Sequence, residues 1–452
     1  MDIDSNVAEH PPAPHSPYPT MRDITATVIS EPREAPPALP ALTPLNVLLV
    51  GNYPNDQQPS MARFAALFAR ELPRYGINVE LIAPHSFFGR LKPSATGLGK
   101  WLGYLDKFLV FPFILRRKLR QLATAGVGQG VRDPRQITSQ APPLLVHICD
   151  HSSAVYAHCL QDVPHVVTCH DLLAIRSARG EIDAHKTAWT GRRYQSIILG
   201  GLNRSRTIAC VSNATRDDLL RLSTQKSANV AMIPLGLNDS FSPMPRDIAW
   251  QRIASLLGPA ADNRFQTGRY ILHVGGNQWY KNRLTLLKIY AALHARMKAG
   301  NSGPIPRLFL AGKPPSPSMT EFLAIHPDIA PDVISFNRLE DEDLRALYSC
   351  ADLLLFPSLA EGFGWPILEA QACGCPVAAT RIPPMTDVGG SAAAYLDPEL
   401  DPEDTARQVL DLLRNPPGVQ AGLDNARRFS IDSMIRNYIG LYQSLLVNNN
   451  KP

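Results

Sequence analysis

Long apolar runs are missing from this 452-residue sequence. Nothing approaches the roughly 18 consecutive apolar residues that a membrane-spanning helix needs. Charge is also thin: 19% of residues are charged and the net value is +5. That is too little to read as a nucleic-acid-binding surface, and no nucleic-acid partner is expected. Seven cysteines form an odd set with no pairing pattern. Cys373 and Cys375 are close, but no second Cys/His pair stands at ligand spacing. A zinc site is therefore not indicated, and a reduced, cytoplasmic chain is the simpler reading. No G-x-G-x-x-G follows any strand-like run, which argues against a nicotinamide dehydrogenase. No convincing D-x-D occurs either: Asp341 and Asp343 in "LEDEDLRALY" read as acids at a helix start. No metal and no cofactor are expected.

Proline, by contrast, is plentiful at 41, and ten of these precede Leu45. Residues 1–44 show no apolar periodicity and read as a disordered tail. They also lack a basic stretch leading into an apolar core, so no secretory signal is read there. Beyond them, apolar β-rich runs alternate with helix-length segments: "NVLLVG", "INVELIAP", "LLVHIC", "HVVTCHD", "RTIACVS" and "NVAMIP". The pattern restarts with "RYILHVGG", "RLFLAG", "DVISF", "DLLLFP" and "CPVAAT". Continuous apolar strands separated by helices indicate parallel sheets covered on both faces. The fold class is therefore α/β, with two doubly wound domains at 45–240 and 269–430. A turn-rich linker spans 241–268, and a helix with a short tail occupies 431–452. In open α/β sheets ligands bind beyond the carboxyl ends of the strands, which directs attention to His170, Asp171, Ser212, Gly275–Asn277, Gly312 and Glu361.

The most informative stretch is "LAEGFGWPILEAQACG", Leu359–Gly374. A strand-like run ends at Pro357, and a helix is expected to start near Trp365, with Pro366 suited to its first turn. The open amides and dipole of a helix start favour a phosphate, and Gly362 and Gly364 let backbone come close. Glu361 and Glu369 then pose a puzzle, since carboxylates would repel an anion. The puzzle resolves if they accept hydrogen bonds from sugar hydroxyls on either side of a diphosphate. A nucleotide sugar has that shape. A bare E-x7-E pair would ordinarily be read as helix-start acids; the glycines, the buried strand before it and the sequel "EAQACGCPV" raise the functional reading above that.

"CADLLLFPSLAEGFGWPILEAQACGCPVAAT" resembles the signature of family 4 retaining glycosyltransferases of the GT-B fold, in which two Rossmann-like domains face a cleft. "RYILHVGGNQWYKN", "VSNATRDDLLRL", "IPLGLNDSFSP" and "DVGGSAAAYLDP" extend the resemblance over most of the chain after the tail. It implies that Lys281 contacts the donor diphosphate, Glu361 the donor sugar and Glu369 the ribose. Gly362, Phe363 and Gly364 would form the amide cradle, with Gly275, Gly276 and Asn277 nearby, and His170 would stand near the reacting sugar. It implies a metal-independent hexosyltransferase acting with retention. The partners implied are a nucleotide sugar and a glycan or lipid-linked acceptor, in cell-surface polysaccharide or glycoconjugate synthesis. The sequence also departs from the family. Gly276 and Asn277 stand where an arginine is usual, leaving Arg283 or Arg63 to supply a second cation. Ser60 and Met61 replace a frequent glycine pair. These departures keep a second reading open: a non-catalytic protein that binds nucleotide sugar or partners another transferase.

Between Lys100 and Arg120 lie six basic residues against one acid, Asp106, an excess equal to the net charge of the whole chain. Mixed with Trp101, Phe108 and Phe113, they suit an anionic membrane surface and a peripheral location on its inner face. Pro112 argues against one simple helix there, and the competing reading is a core-packed helix with a solvated basic face.

Overall fold

The structure, a computed structural model, describes residues 45–56, 59–91, 97–125, 142–182, 186–237, 240–258 and 268–449. The expected tail at 1–44, part of the linker (259–267) and the last three residues lie outside the described residues. The chain divides into two compact units between Leu144 and Leu145, and each is described by itself.

In the first unit, β1 (Leu45–Val50) and β2 (Ile77–Ile82) pair in parallel from Leu45↔Ile77 to Val50↔Ile82. The helix Pro59–Glu71 connects them. β1 is almost wholly buried, as its unbroken apolar run implies. A helix, Gly97–Leu105, runs on through a π turn, Asp106–Val110, into a second helix, Phe111–Ala125. Pro112 directly follows the π segment inside this continuous helix, and the local widening of the turn accommodates its ring and its missing N–H. The sequence reading of an interrupted helix is thus correct in part: the interruption is one wide turn, not a break. The π turn places Asp106 inside, where its carboxylate accepts the Tyr53 hydroxyl (2.9 Å) and the amides of Phe87, Phe88 and Gly89. Lys107 beside it donates to the Asp56 carboxylate at 2.7 Å.

The second unit holds two runs of parallel strands. β3 (Leu144–Ile148, all but its first residue in this unit), β4 (His165–Cys169), β5 (Thr207–Cys210) and β6 (Val230–Met232) pair in chain order. Between β3 and β4 the expected helix is instead a 3-10 segment, His151–Cys159. The helices Trp189–Arg204 and Asn213–Leu222 follow β4 and β5. The other strands are β7 (Tyr270–Gly275), β8 (Arg307–Gly312), β9 (Val333–Phe336), β10 (Leu353–Phe356), β11 (Val377–Thr380) and β12 (Ala394–Leu396). They form a six-stranded sheet in the order β12-β11-β10-β7-β8-β9. Leu286 and Leu293 of the helix Arg283–Ala299 pack on Ile271, Leu308, Leu310 and Leu353, all fully buried. This sheet grows outward in both directions from the β7/β10 pair, and that reversal leaves a crevice at the carboxyl ends of these two strands. The helix Ile431–Asn449 returns to β3 and β4: the Tyr442 hydroxyl meets His147 Nδ1 at 2.7 Å, and the Tyr438 hydroxyl meets Thr168 at 2.8 Å.

Candidate functional site

Lys281 follows β7 in the 3-10 turn Trp279–Lys281, and Glu361 follows β10. Their side chains meet at 2.6 Å, both nearly buried, over the reversal point of the sheet. The two residues are 80 positions apart in sequence. The Lys281 ammonium also lies 4.9 Å from the centre of the Phe356 ring. An ammonium has three donors and an ionised carboxylate several lone-pair sites. This pair therefore neutralises itself while keeping hydrogen-bonding capacity for a ligand.

The loop between Glu361 and the helix Trp365–Ala372 is shaped by two glycines that act differently. Gly364 caps the helix with φ 108°, a left-handed conformation that side chains resist. No side chain caps this helix start. At Gly362 the constraint is space: a Cβ there would lie 2.1 Å from the backbone oxygen of His170. The Ser212 hydroxyl donates to the Gly362 carbonyl at 2.7 Å, and Thr215 does so at 3.3 Å. Ser212 is also the N-cap of the helix Asn213–Leu222. The glycine loop is thus pressed against the ends of β4 and β5. Phe363 turns its ring inward against Phe429, 5.8 Å between centres, so it can offer a ligand only its backbone.

His170 follows β4 directly, with 5% of its surface exposed. Its Nε2 stands 2.9 Å from the Cys149 carbonyl. A carbonyl only accepts, so Nε2 carries the proton and Nδ1 is the acceptor. Burial lowers the His170 pKa, so the ring is neutral near pH 7. Glu369, one turn into its helix, accepts the Tyr348 hydroxyl at 2.8 Å. Burial first, then Glu369, pushes the Tyr348 hydroxyl well above its usual pKa. Gly275 ends β7 beside Lys281 and Gly276 follows it. Asn277 is occupied: its Nδ2 donates to the Pro314 carbonyl at 2.8 Å and its Oδ1 accepts from Arg283. The structure therefore joins Lys281, Glu361, the glycine loop and His170, and turns the Asn277 side chain toward the end of β8. Asp341 and Asp343 lie at a helix start as expected, with Glu340 and Asp343 making reciprocal capping bonds.

Sequence reading missed Asp150 and His151, which follow β3 and approach to 3.0 Å. Burial works against charge on each, yet the pairing wins. His151, facing Asp150 and Asp171, is held up at about 9. Asp150, facing His151 and His170 with Ser152 bonded to it, is held well below the carboxylate range. Their position just beyond a strand end was the signal that could have found them. Among the described residues no group of three or more His, Cys, Asp or Glu side chains is placed to hold a metal ion.

Two family models match the chain without overlapping: "Glycosyltransferase Family 4" over residues 61–241 and "Glycosyl transferases group 1" over residues 259–429. O-antigen chain mannosyltransferase B of Escherichia coli is 26% identical over 261 residues, 56% of this chain and 65% of that protein. D-inositol 3-phosphate glycosyltransferase of Mycolicibacterium smegmatis is 26% identical over 292 residues, 61% of this chain and 62% of that protein. The chain thus spans less than two thirds of the length of these curated relatives. Among solved structures, sucrose-phosphate synthase of Thermosynechococcus elongatus superposes with a TM-score of 0.62 at 17% identity, covering 89% of this chain and all of that one. Anabaena HepE in complex with UDP-glucose gives 0.55 at 16% identity, covering 88% of this chain and 100% of that one. These likenesses show the GT-B fold. The two models together run through both strand series and the Lys281–Glu361 site, and the chain belongs to the group 1, family 4 glycosyltransferases.

Proposed function

We propose that the chain transfers a hexose from a nucleoside-diphosphate sugar to a glycan or lipid-linked acceptor, with retention and without a divalent metal. The observation that carries this reading is the 2.6 Å Lys281–Glu361 contact over the sheet's reversal point, beside an uncapped helix start. Negative charge develops on the departing phosphate, and a fixed ammonium with helix-start amides answers it without a metal. Glu361 accepts hydroxyls of the donor sugar, and Glu369 those of the ribose. His170, neutral, offers Nδ1 as an acceptor to the reacting sugar. In the retaining course the anomeric carbon–phosphate bond breaks and the bond to the acceptor oxygen forms on the same face. The acceptor proton passes to the leaving diphosphate.

The test is a panel of UDP-, GDP- and ADP-hexoses, read as release of nucleoside diphosphate with chelator present, and as product anomer by NMR. Lys281→Met is expected to lower kcat by about 10²–10³, the usual loss for one charge-stabilising donor. A wild-type protein that binds a nucleotide sugar but neither hydrolyses nor transfers it, with any acceptor offered, would instead favour the non-catalytic reading.

The lipid-linked option has its own support in the first unit. Trp101, Leu105, Leu109 and Phe113 are all exposed, at 59%, 38%, 66% and 67%. A spacing of four drifts around an α-helix. The wide π turn between them takes that drift back and keeps the four on one stripe. Arg116, Arg117 and Arg120, also exposed, continue it. Phe87 and Leu91 flank the stripe through the loop held by Asp106. This pattern suits a cytoplasmic protein resting on the inner face of an anionic membrane. Sedimentation with anionic vesicles should fall with salt and be abolished by Trp101→Glu with Phe113→Glu. Unchanged sedimentation of that double variant would remove the membrane from this account.

A further inference from the structure

Arg283 opens the helix Arg283–Ala299 and is 96% buried, with 4% exposure. Only one of its nitrogens is engaged. Nη1 donates to Asn277 Oδ1 at 2.5 Å and to the Lys313 carbonyl at 2.8 Å. Both acceptors are neutral. Nε and Nη2 are buried with no acceptor, and among the described residues no carboxylate is in ionic contact with this guanidinium. Three features make this an unfavourable place for a cation. It is buried, it lacks a counter-ion, and it stands at the positive end of a helix dipole. Burial is also the cause that lowers its pKa.

The open nitrogens are not arbitrary. Nε and Nη2 form one edge of the guanidinium, with parallel N–H bonds at the spacing of two oxygens on a single phosphate. Nη1 is clamped between the ends of β7 and β8, which fixes the guanidinium plane before any ligand arrives. The helix start beside it has no side-chain cap, and Asn282 before it takes a left-handed turn, φ 54°. Lys281, two residues earlier, has turned to the β10 side to meet Glu361. The positive charge at the end of β7 is thus split: one cation compensated on one side, one uncompensated on the other.

We infer that Arg283 is a phosphate-binding residue of the donor site, taking two oxygens of the donor's diphosphate through Nε and Nη2. This rests on the nucleotide-sugar reading above, but is tested apart from it. The probes are inorganic pyrophosphate, orthophosphate and UDP, GDP and ADP, titrated calorimetrically into the full chain, with unfolding midpoints recorded alongside. Arg283→Lys keeps the charge and loses the fork; affinity for pyrophosphate and for the preferred nucleoside diphosphate should fall about tenfold. Arg283→Met should fall further. It should also raise the midpoint of the ligand-free protein, because a buried unpaired cation has been removed, and erase the shift that pyrophosphate induces. Binding of orthophosphate alone, equally dependent on Arg283, would show a general anion site and overturn assignment to the diphosphate. A Met variant with a lowered ligand-free midpoint and diphosphate affinity within twofold of wild type would make Arg283 a structural clamp and overturn the inference. Arg283-dependent pyrophosphate binding in a protein that consumes no donor would sink the transferase reading and leave this one standing.

Discussion

His151 carries a charge that its surroundings should remove. Burial favours the neutral ring, and the carboxylates of Asp150 and Asp171 reverse the outcome, raising the pKa from 6.5 to about 9. A histidine whose pKa is raised on folding stabilises the fold fully below its unfolded value and loses that contribution as pH climbs through the folded value. The window is therefore pH 6.5 to about 9. A shift of this size corresponds to an upper figure of about 3 kcal/mol, and it belongs to the Asp150–His151 pair as a unit. His151→Gln retains an amide donor toward Asp150 and removes the titration. Unfolding midpoints should differ most between wild type and variant near pH 6, and the difference should close by pH 10. A difference that stays constant across that range would mean that His151 is neutral in the folded protein.

The helix Trp365–Ala372 and the loop before it are the element on which the site depends. Gly362→Ala would drive a Cβ into the His170 backbone oxygen, against a separation of 2.1 Å. Neither side is a flexible side-chain tip, so the loop must move and Glu361 with it. Overpacking of this kind costs about 1–3 kcal/mol. The catalytic loss should exceed the stability loss, about 10²-fold in kcat, since misplacement by an ångström is felt at that scale. At Gly364 the added Cβ has room, 3.6 Å from Ile367, but φ 108° is wrong for it. That variant should lose stability with a smaller effect on turnover. If Gly362→Ala keeps wild-type kcat, the close approach to His170 is irrelevant to the reaction. The element itself was legible in sequence because its signals are local: strand, glycines, proline at a helix start, acids at fixed spacing. Its partners were not. Nothing in the spacing of Lys281 and Glu361 says that they touch; that follows from β7 and β10 lying side by side. Tyr348 on Glu369 and Asn277 on Arg283 were hidden for the same reason: tertiary neighbours leave no period in a sequence.

At the scale of the whole chain, the alternation of strands and helices was readable because buried parallel strands are apolar throughout. The C-terminal helix was placed in sequence but not in space, since its pattern fits more than one surface. What assigns it is a buried polar chain. Tyr442 meets His147 Nδ1 (2.7 Å), His147 Nε2 meets Thr168 (2.8 Å), and Thr168 meets Tyr438 (2.8 Å). His147 is fully buried, and its pKa is driven down to about 3, chiefly by burial and then by His170. A neutral imidazole has one donor and one acceptor nitrogen, and the two hydroxyls that flank it satisfy both. Tyr442→Phe removes one of these partners and leaves a buried ring nitrogen unsatisfied, at a cost of about 1–3 kcal/mol. The expected outcome is a lower unfolding midpoint with nucleoside-diphosphate affinity unchanged, because the donor site is built from the β7–β12 sheet. Pairing Tyr442→Phe with His147→Phe should recover part of the loss, since no polar atom is then stranded. A single variant as stable as wild type would show that the helix is held on β3 and β4 by its apolar face alone, and that the hydroxyl chain only follows.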